Sequence, residues 1–159
     1  AGLHHKARPA EAASGGKAVR GLYYEGAYLD FEFTSDRAET GVSLSIRVAA
    51  EFREITLTQD TFQITVNGGS PVSYRSGAIT IDGSEYADGH WDGAGSAHEY
   101  TEVVINNIDI QQGENVIRLY VNNSQGIEGA GTVQAMAPII DCIKLRSSAE
   151  LEMNIYENK

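Results

Sequence analysis

Apolar and polar residues alternate along most of the chain. The segment YLDFEF places Leu29, Phe31 and Phe33 on one side and their polar neighbours on the other. The segments VSLSIRVA, FQITV and NVIRLYV repeat this alternation. Because successive side chains of a β-strand point to opposite faces of its sheet, each segment is predicted to be a strand with one buried face.

Turn-forming residues separate the predicted strands. VNGGSPV contains Asn67-Gly68, a pair that accepts positive φ and favours a tight hairpin turn. QQGEN and SGG are similar turn signals, and no long window has the period of a helix. Many short strands joined by turns predict an all-β fold, a two-sheet β-sandwich of the jelly-roll type.

The length of 159 residues and the apolar content of 42% favour a single domain over residues 1–159. Residues 146–159 alternate again and are predicted to form a closing strand or a linker. No run approaches the ~18 consecutive apolar residues of a membrane span, so no membrane partner is expected. The first ten residues, AGLHHKARPA, lack the apolar core of a signal peptide, so we interpret the chain as a mature fragment or an excised module.

The formal net charge of −10 disfavours one class of partner. An acidic surface repels phosphate, and the basic residues are scattered, so nucleic-acid binding is not expected. The acidity has two interpretations that the sequence leaves open. Carboxylates suit a hard cation such as calcium, and they also keep a secreted domain soluble.

The sequence gives no indication of catalysis. It contains none of the motifs GxSxG, HExxH or the phosphate-binding P-loop. The single cysteine, Cys142, excludes an internal disulfide and a thiolate zinc cluster, and it lies in an apolar run that predicts burial. We therefore predict a protein that is not an enzyme.

The order of several motifs resembles the carbohydrate-binding modules of families 6 and 35. In chain order these are ASGGKAV, YYEGAYLDFEF, VSLSIRVA, ITVNG, VINNIDIQQGENVIRLYVNN and APIIDCIKL, which together span roughly residues 12 to 145. The resemblance implies a galactose-binding-like β-sandwich that binds a polysaccharide or oligosaccharide at its loop end and holds a structural calcium ion. It also implies attachment to a secreted glycoside hydrolase or a bacterial-type surface protein, and hence an extracellular location.

The resemblance assigns Asp141 to calcium, because it matches the calcium-ligating aspartate of the last strand. Alternation places Asp141 on the same face as Ile143 and Leu145, and a carboxylate on a core face must be paired, hydrogen-bonded or bound to a metal. A hydrogen-bonded structural aspartate is therefore the alternative. The family's acidic first strand has no match here, so either the fragment was cut inside the module, or Glu11 and loop carbonyls substitute as ligands.

The resemblance also implies sugar contacts around a long loop, DGSEYADGHWDGAGSAHEY, at residues 82–100. Trp91 in this loop resembles a family tryptophan that stacks on a sugar ring, for which an indole offers a flat apolar face and one N–H donor. The predicted sugar-contacting residues are Trp91, His90, Tyr23, Tyr24, Asn122 and Asn123. The family's usual aromatic residue before SGG is replaced by Ala13, and its usual asparagine before the closing aspartate by Ile139.

Each of these residues also has a purely structural interpretation. Trp91 would cap the edge of the core, His90 would be a solvated loop residue, the two tyrosines would pack, and the Asn122-Asn123 pair would form a turn. The alternative function is a calcium-stabilised structural or adhesion β-sandwich of a bacterial surface protein. A sugar-binding module should expose Trp91 and lose sugar binding when Trp91 is replaced by alanine. A structural domain would bury Trp91 and bind no saccharide.

Overall fold

Strands make up the regular secondary structure of this computed structural model, which describes residues 6–9, 17–20, 22, 25–50, 54–81, 100–123 and 137–154. Within these ranges no helix is long and apolar enough to cross a membrane. The strands are β1 (Lys6–Pro9), β2 (Lys17–Arg20), β3 (Tyr28–Ser35), β4 (Glu39–Ala49), β5 (Ile55–Leu57), β6 (Phe62–Val66), β7 (Ile79–Ile81), β8 (Thr101–Val104), β9 (Ile108–Ile110), β10 (Gly113–Val121), β11 (Ile139–Arg146) and β12 (Leu151–Met153).

Two antiparallel sheets contain ten of these strands. The six-stranded sheet has the order β1-β2-β11-β4-β8, and β9 also pairs with β4. The four-stranded sheet has the order β12-β3-β10-β6, and β5 and β7 form a separate two-stranded ribbon. Neighbours in a sheet are mostly distant in sequence, so long-range pairing holds both sheets together.

The alternating segments supply the core between the two sheets. Side chains from one face of β4 in the larger sheet join those from one face of β3, β6 and β10 in the smaller sheet, and these side chains are fully buried. The largest of them are Phe33, Leu44, Ile46, Phe62, Ile64, Ile117 and Leu119. The predicted all-β, two-sheet β-sandwich is therefore confirmed.

The Asn67-Gly68 turn forms as its sequence predicts. Both residues have positive φ, 52° and 73°, and the Gly69 amide donates to the Val66 carbonyl. The Asn67 carboxamide then crosses to β10, where its oxygen accepts from the Val116 amide at 2.8 Å. The turn therefore also fastens the end of β6 to the neighbouring strand.

Asn115 extends this fastening to the QQGEN turn. Its buried carboxamide oxygen accepts from Asn67 and from the Gln111 amide, each at 2.9 Å. Its Nδ2 donates to the Gln111 carbonyl at 2.8 Å. A buried carboxamide with its polar atoms bonded is stabilising, whereas an unbonded one would cost about 1–3 kcal/mol. The two predicted turns are thus held by one hydrogen-bonded network.

The last described strand, β12, closes the edge of the four-stranded sheet against β3. Glu39 organises the turn that leads into it, because its carboxylate accepts from the Ser147 hydroxyl and from the Ser148 and Ala149 amides. These hydrogen bonds lower the pKa of Glu39 from 4.5 to about 2. Arg37 donates to the Ser148 carbonyl and holds the same turn from its other side.

The lowered pKa predicts a pH-dependent contribution of Glu39 to stability. Because the folded pKa lies below the ordinary value, the stabilisation is complete above pH 4.5 and is lost as the pH falls towards about 2. The wild type should therefore have a higher melting temperature than the Glu39→Gln variant at neutral pH. The difference between the two melting temperatures should shrink on acidification. Thermal unfolding followed by circular dichroism between neutral pH and pH 2 measures it.

Glu114→Gln is the matched control, since its side chain is exposed on β10. Its melting temperature should remain close to that of the wild type at each pH. A difference in melting temperature between the wild type and Glu39→Gln that stays constant across the acid range would contradict the role assigned to the ionised carboxylate.

Candidate functional site

Most of the predicted sugar-contacting residues lie outside the described part of the chain. These are Tyr23, Tyr24, His90 and Trp91, and the predicted calcium ligand Glu11 lies outside it as well. The described residues that the sequence nominates are the asparagine pair after β10 and the aspartate in β11. A groove on the four-stranded sheet is a further candidate.

Asn122 and Asn123 join the end of β10 to the turn before β6. The Asn122 backbone amide donates to the Thr61 carbonyl at 2.8 Å, and its Nδ2 donates to the Asp60 carbonyl at 3.0 Å. The Asn123 Nδ2 also donates to the Thr61 carbonyl, at 3.4 Å. Both side-chain amides thus bind backbone carbonyls and hold the end of β10 against the turn before β6. We call this edge of the sandwich the rim. Sugar contacts by the pair stay a prediction.

Asp141 is the extra residue of a β-bulge in β11. Ile140 pairs with Val48 of β4, and Cys142 pairs with the adjacent Arg47, so the register shifts at the residue between them. A bulge places two residues of one strand opposite a single residue of its partner and re-aims their side chains. The bulge therefore breaks the alternation between Asp141 and the residues that follow it.

This geometry corrects the face predicted for Asp141. Ile143 and Leu145 pack on the main core, as alternation predicts. The Asp141 carboxylate instead bonds Arg47, whose neighbours Ile46 and Val48 fill the core, so Arg47 lies on the opposite face of β4. The prediction of a shared face was wrong because the inserted residue reverses the alternation there. The prediction that the carboxylate is buried and compensated was correct.

Arg47 and Tyr100 enclose this carboxylate. The Asp141 side chain is fully buried, whereas 28% of the Arg47 side chain is exposed. The Arg47 guanidinium carbon lies 4.4 Å from the centre of the Tyr100 ring. Burial, and then the Asp141 charge, raise the pKa of Tyr100 to about 12, so its phenol stays neutral. The arrangement is a compensated buried charge, for which loss of one partner is strongly destabilising.

A calcium ion fits this position only in part. Asp141 supplies one buried carboxylate, and its Oδ2 accepts a hydrogen bond from Arg47. Calcium takes about 6–8 oxygen ligands. Among the residues that the structure describes, no group of three or more His, Cys, Asp or Glu side chains is arranged to hold a metal. Further ligands would therefore come from the rest of the chain or from backbone carbonyls.

The outer face of the four-stranded sheet carries a groove that we call the β10 groove. Its volume is about 520 Å³, within the range of small-ligand sites. It crosses β3, β10 and β6 and ends at the turn after β6. Its lining residues are Asp30, Glu32, Thr65, Asn67, Gly68, Val116 and Arg118.

Arg118 is held firmly in this groove. Its Nε donates to Asp30 Oδ1 at 2.7 Å and its Nη2 to Oδ2 at 2.8 Å, a bidentate pair. Its guanidinium carbon lies 3.9 Å from the centre of the Tyr28 ring. The hydrogen bonds to Asp30 raise the pKa of Arg118, which keeps it charged. A planar cation fixed on two sides presents its remaining N–H groups in a defined direction.

The β10 groove was not predicted from the sequence. Alternation places Tyr28 and Asp30 on the outward face of β3, and Arg118 alternates with the buried residues of β10. The sequence pattern therefore already showed that Arg118, Asp30 and Tyr28 face outwards from the sheet. The pairing of Arg118 with Asp30 depends on the register between two strands far apart in sequence, which the pattern does not give.

No family model matches the sequence, and no curated protein matches it either. Solved structures match its fold. A family 35 carbohydrate-binding module from Cellvibrio japonicus Abf62 has a TM-score of 0.58 at 14% identity, covering 96% of this chain and 88% of that one. A family 35 module from Clostridium thermocellum has a TM-score of 0.54 at 22% identity, covering 90% and 87%.

A larger protein contains the same fold. The Podospora anserina GH26-CBM35 β-(1,4)-mannanase has a TM-score of 0.56 at 17% identity, and the match covers 98% of this chain but 26% of the mannanase chain. The predicted resemblance is confirmed for the fold. The chain has the β-sandwich fold of the family 35 carbohydrate-binding modules.

Proposed function

We propose that this chain is a non-catalytic carbohydrate-binding module of an extracellular protein. The observation that carries the proposal is the fold match to a family 35 module over 96% of the chain. The motif order in the sequence supports it independently. Such a module would keep an attached secreted glycoside hydrolase or surface protein close to a polysaccharide and raise its effective concentration there. The mannanase that contains the same fold is an example of such an attachment.

The loop end of the sandwich is the proposed sugar site. Trp91 and His90 would contact the sugar from the long loop, with Tyr23 and Tyr24 as further aromatic surface. An indole packs on the C–H face of a pyranose, whereas its N–H and the amides of Asn122 and Asn123 suit hydroxyl groups. Stacking on one or two rings would give Kd values in the micromolar to millimolar range, roughly −8 to −4 kcal/mol.

Replacement of Trp91 tests the proposed site directly. Trp91→Ala should weaken binding to the preferred polysaccharide by about tenfold or more, because stacking area and an N–H donor are lost together. Isothermal titration calorimetry against soluble galactomannan, xylan and β-glucan measures the change. Met153→Ala is the control, since it removes a large exposed side chain from β12 and should leave binding intact.

The alternative functions make different predictions in the same assay. A structural or adhesion domain would show no saccharide binding in the wild type, which would contradict the proposal. An enzyme would release reducing sugar from the polysaccharide on prolonged incubation. A folded Trp91→Ala variant with unchanged affinity would contradict the role of the loop.

A structural calcium ion at Asp141 is the second part of this proposal. The support is a fully buried carboxylate beside a bulge, together with the family resemblance of its position. The Asp141 carboxylate would bind the cation beside Arg47, with further ligands from Glu11 and backbone carbonyls. The ion would compensate more of the buried charge and stabilise the closing part of the larger sheet.

Calcium should therefore raise the melting temperature of the wild type. At about one hundred times Kd the gain is about 2.7 kcal/mol, or about 5–10 °C for a chain of this size. Asp141→Asn should abolish this calcium response, since it removes the negative charge that attracts the cation but keeps the shape that faces Arg47. Differential scanning calorimetry with calcium and with EDTA measures both.

Asp60→Asn is the matched control, because Asp60 lies in an exposed turn away from β11. It should keep the full calcium response. A wild-type melting temperature that is identical in calcium and EDTA would contradict the calcium site.

A further inference from the structure

We propose that the Asn67-Gly68 turn is a site of covalent self-modification, at which Asn67 deamidates when its carboxamide leaves the network that fastens β6 to β10. The inference is independent of the proposed function, because it needs no ligand. It rests on three features of the turn: a carboxamide next to an exposed glycine, hydrogen bonds that hold this carboxamide in place, and a neighbouring acceptor that an acidic product would face.

The reacting groups are the Asn67 side-chain carbonyl carbon and the Gly68 backbone nitrogen. After hydroxide removes the Gly68 amide proton, this nitrogen attacks the carbon, and a new C–N bond closes a five-membered ring. The bond between the carbon and Nδ2 then breaks, and the departing nitrogen takes up a proton and leaves as ammonia. Water opens the resulting succinimide at either carbonyl, which gives aspartate or isoaspartate at position 67.

Gly68 leaves the approach to its nitrogen open. Asn67-Gly68 is the only Asn-Gly pair of the sequence, and a glycine has no Cβ to shield the attacking atom. Apart from its chain neighbours, no heavy atom lies within 4 Å of where a Cβ of Gly68 would be. Both residues are exposed, and the Gly68 amide has no hydrogen-bonding partner among the residues that the structure describes. Water and hydroxide can therefore reach both reacting groups.

Hydrogen bonds hold the Asn67 carboxamide against β10 in the folded state. Its oxygen accepts from the Val116 amide at 2.8 Å, and its Nδ2 donates to Asn115 Oδ1 at 2.9 Å. Because both partners lie on β10, the carbonyl carbon can turn to the Gly68 nitrogen only when these two bonds break. The reaction should therefore occur in the locally opened turn, and its rate should follow how often the turn opens.

An acidic product would not fit the same network. Asn115 Oδ1 also accepts from the Gln111 amide at 2.9 Å, and Asn115 Nδ2 donates to the Gln111 carbonyl at 2.8 Å. These bonds fix the orientation of the Asn115 carboxamide, so its oxygen continues to face position 67. A carboxylate there would place an acceptor where Nδ2 now donates, and two acceptors repel each other. Deamidation should thus unfasten β6 from β10.

Ageing of the folded protein tests the modification. The wild type is incubated in mildly alkaline buffer, and peptide mapping by mass spectrometry follows the conversion of Asn67 to aspartate and isoaspartate. Asn107 is the matched internal control, because it is also exposed and has a positive φ of 55°, but the β-branched Ile108 follows it and shields the attacking nitrogen. Asn67 should convert faster than Asn107. Equal rates, or no conversion of Asn67 under conditions in which the urea-unfolded chain converts, would overturn the site.

Asn115→Ala tests whether the turn must open. The change removes the acceptor of Asn67 Nδ2, so Asn67 should deamidate about fivefold faster or more than in the wild type. Sub-denaturing urea provides a second measurement, in which deamidation of the wild type and hydrogen exchange of its Val116 amide should accelerate together. An unchanged rate in folded Asn115→Ala would overturn the dependence on opening. If that variant does not fold, a wild-type rate that does not respond to urea would overturn it.

Asn67→Asp shows what the reaction does to the fold. Its melting temperature should lie roughly 2–10 °C below that of the wild type, because repulsion replaces one hydrogen bond of the network. Asn107→Asp adds the same charge at a position outside the network, and it should keep the melting temperature of the wild type. Circular dichroism measures both. Equal melting temperatures for the two variants would overturn the unfastening of β6 from β10.

Discussion

Strand β10 lies between β3 and β6 in the smaller sheet. One of its faces packs in the core, and the other carries the ion pair of the outer surface. Ile117 and Leu119 are fully buried between the sheets, whereas Arg118 between them points outwards to Asp30. A shift of one residue in this register would expose the apolar pair and bury the cation. The energetic preference for burying the apolar face therefore also fixes the ion pair on the outer face. The Asn67 and Asn115 carboxamides secure the same register at the end of the strand.

In the larger sheet, alternation also decides which side chains are buried, except at the bulge in β11. Arg47 alternates with Ile46 and Val48, so its guanidinium lies on the outer face of β4. At the bulge Cys142 is paired with Arg47 and Asp141 is the extra residue beside it, and the Asp141–Arg47 pair compensates a carboxylate with no exposed surface. A buried charge without such a partner would cost several kcal/mol. The inserted residue lets Asp141 lie beside Arg47 while Ile143, paired with Ile46, and Leu145 pack on the core.

The sequence predicted the fold well because alternation and turn chemistry are local signals. The segments around Phe33, Leu44 and Ile117 became core strands, and Asn67-Gly68 became a turn with positive φ. The loop contacts of Trp91 lie outside the described residues and stay a prediction. The face of Asp141 was wrong because a single inserted residue leaves no mark in the pattern. The Arg118–Asp30 pair was missed because strand register is a long-range property.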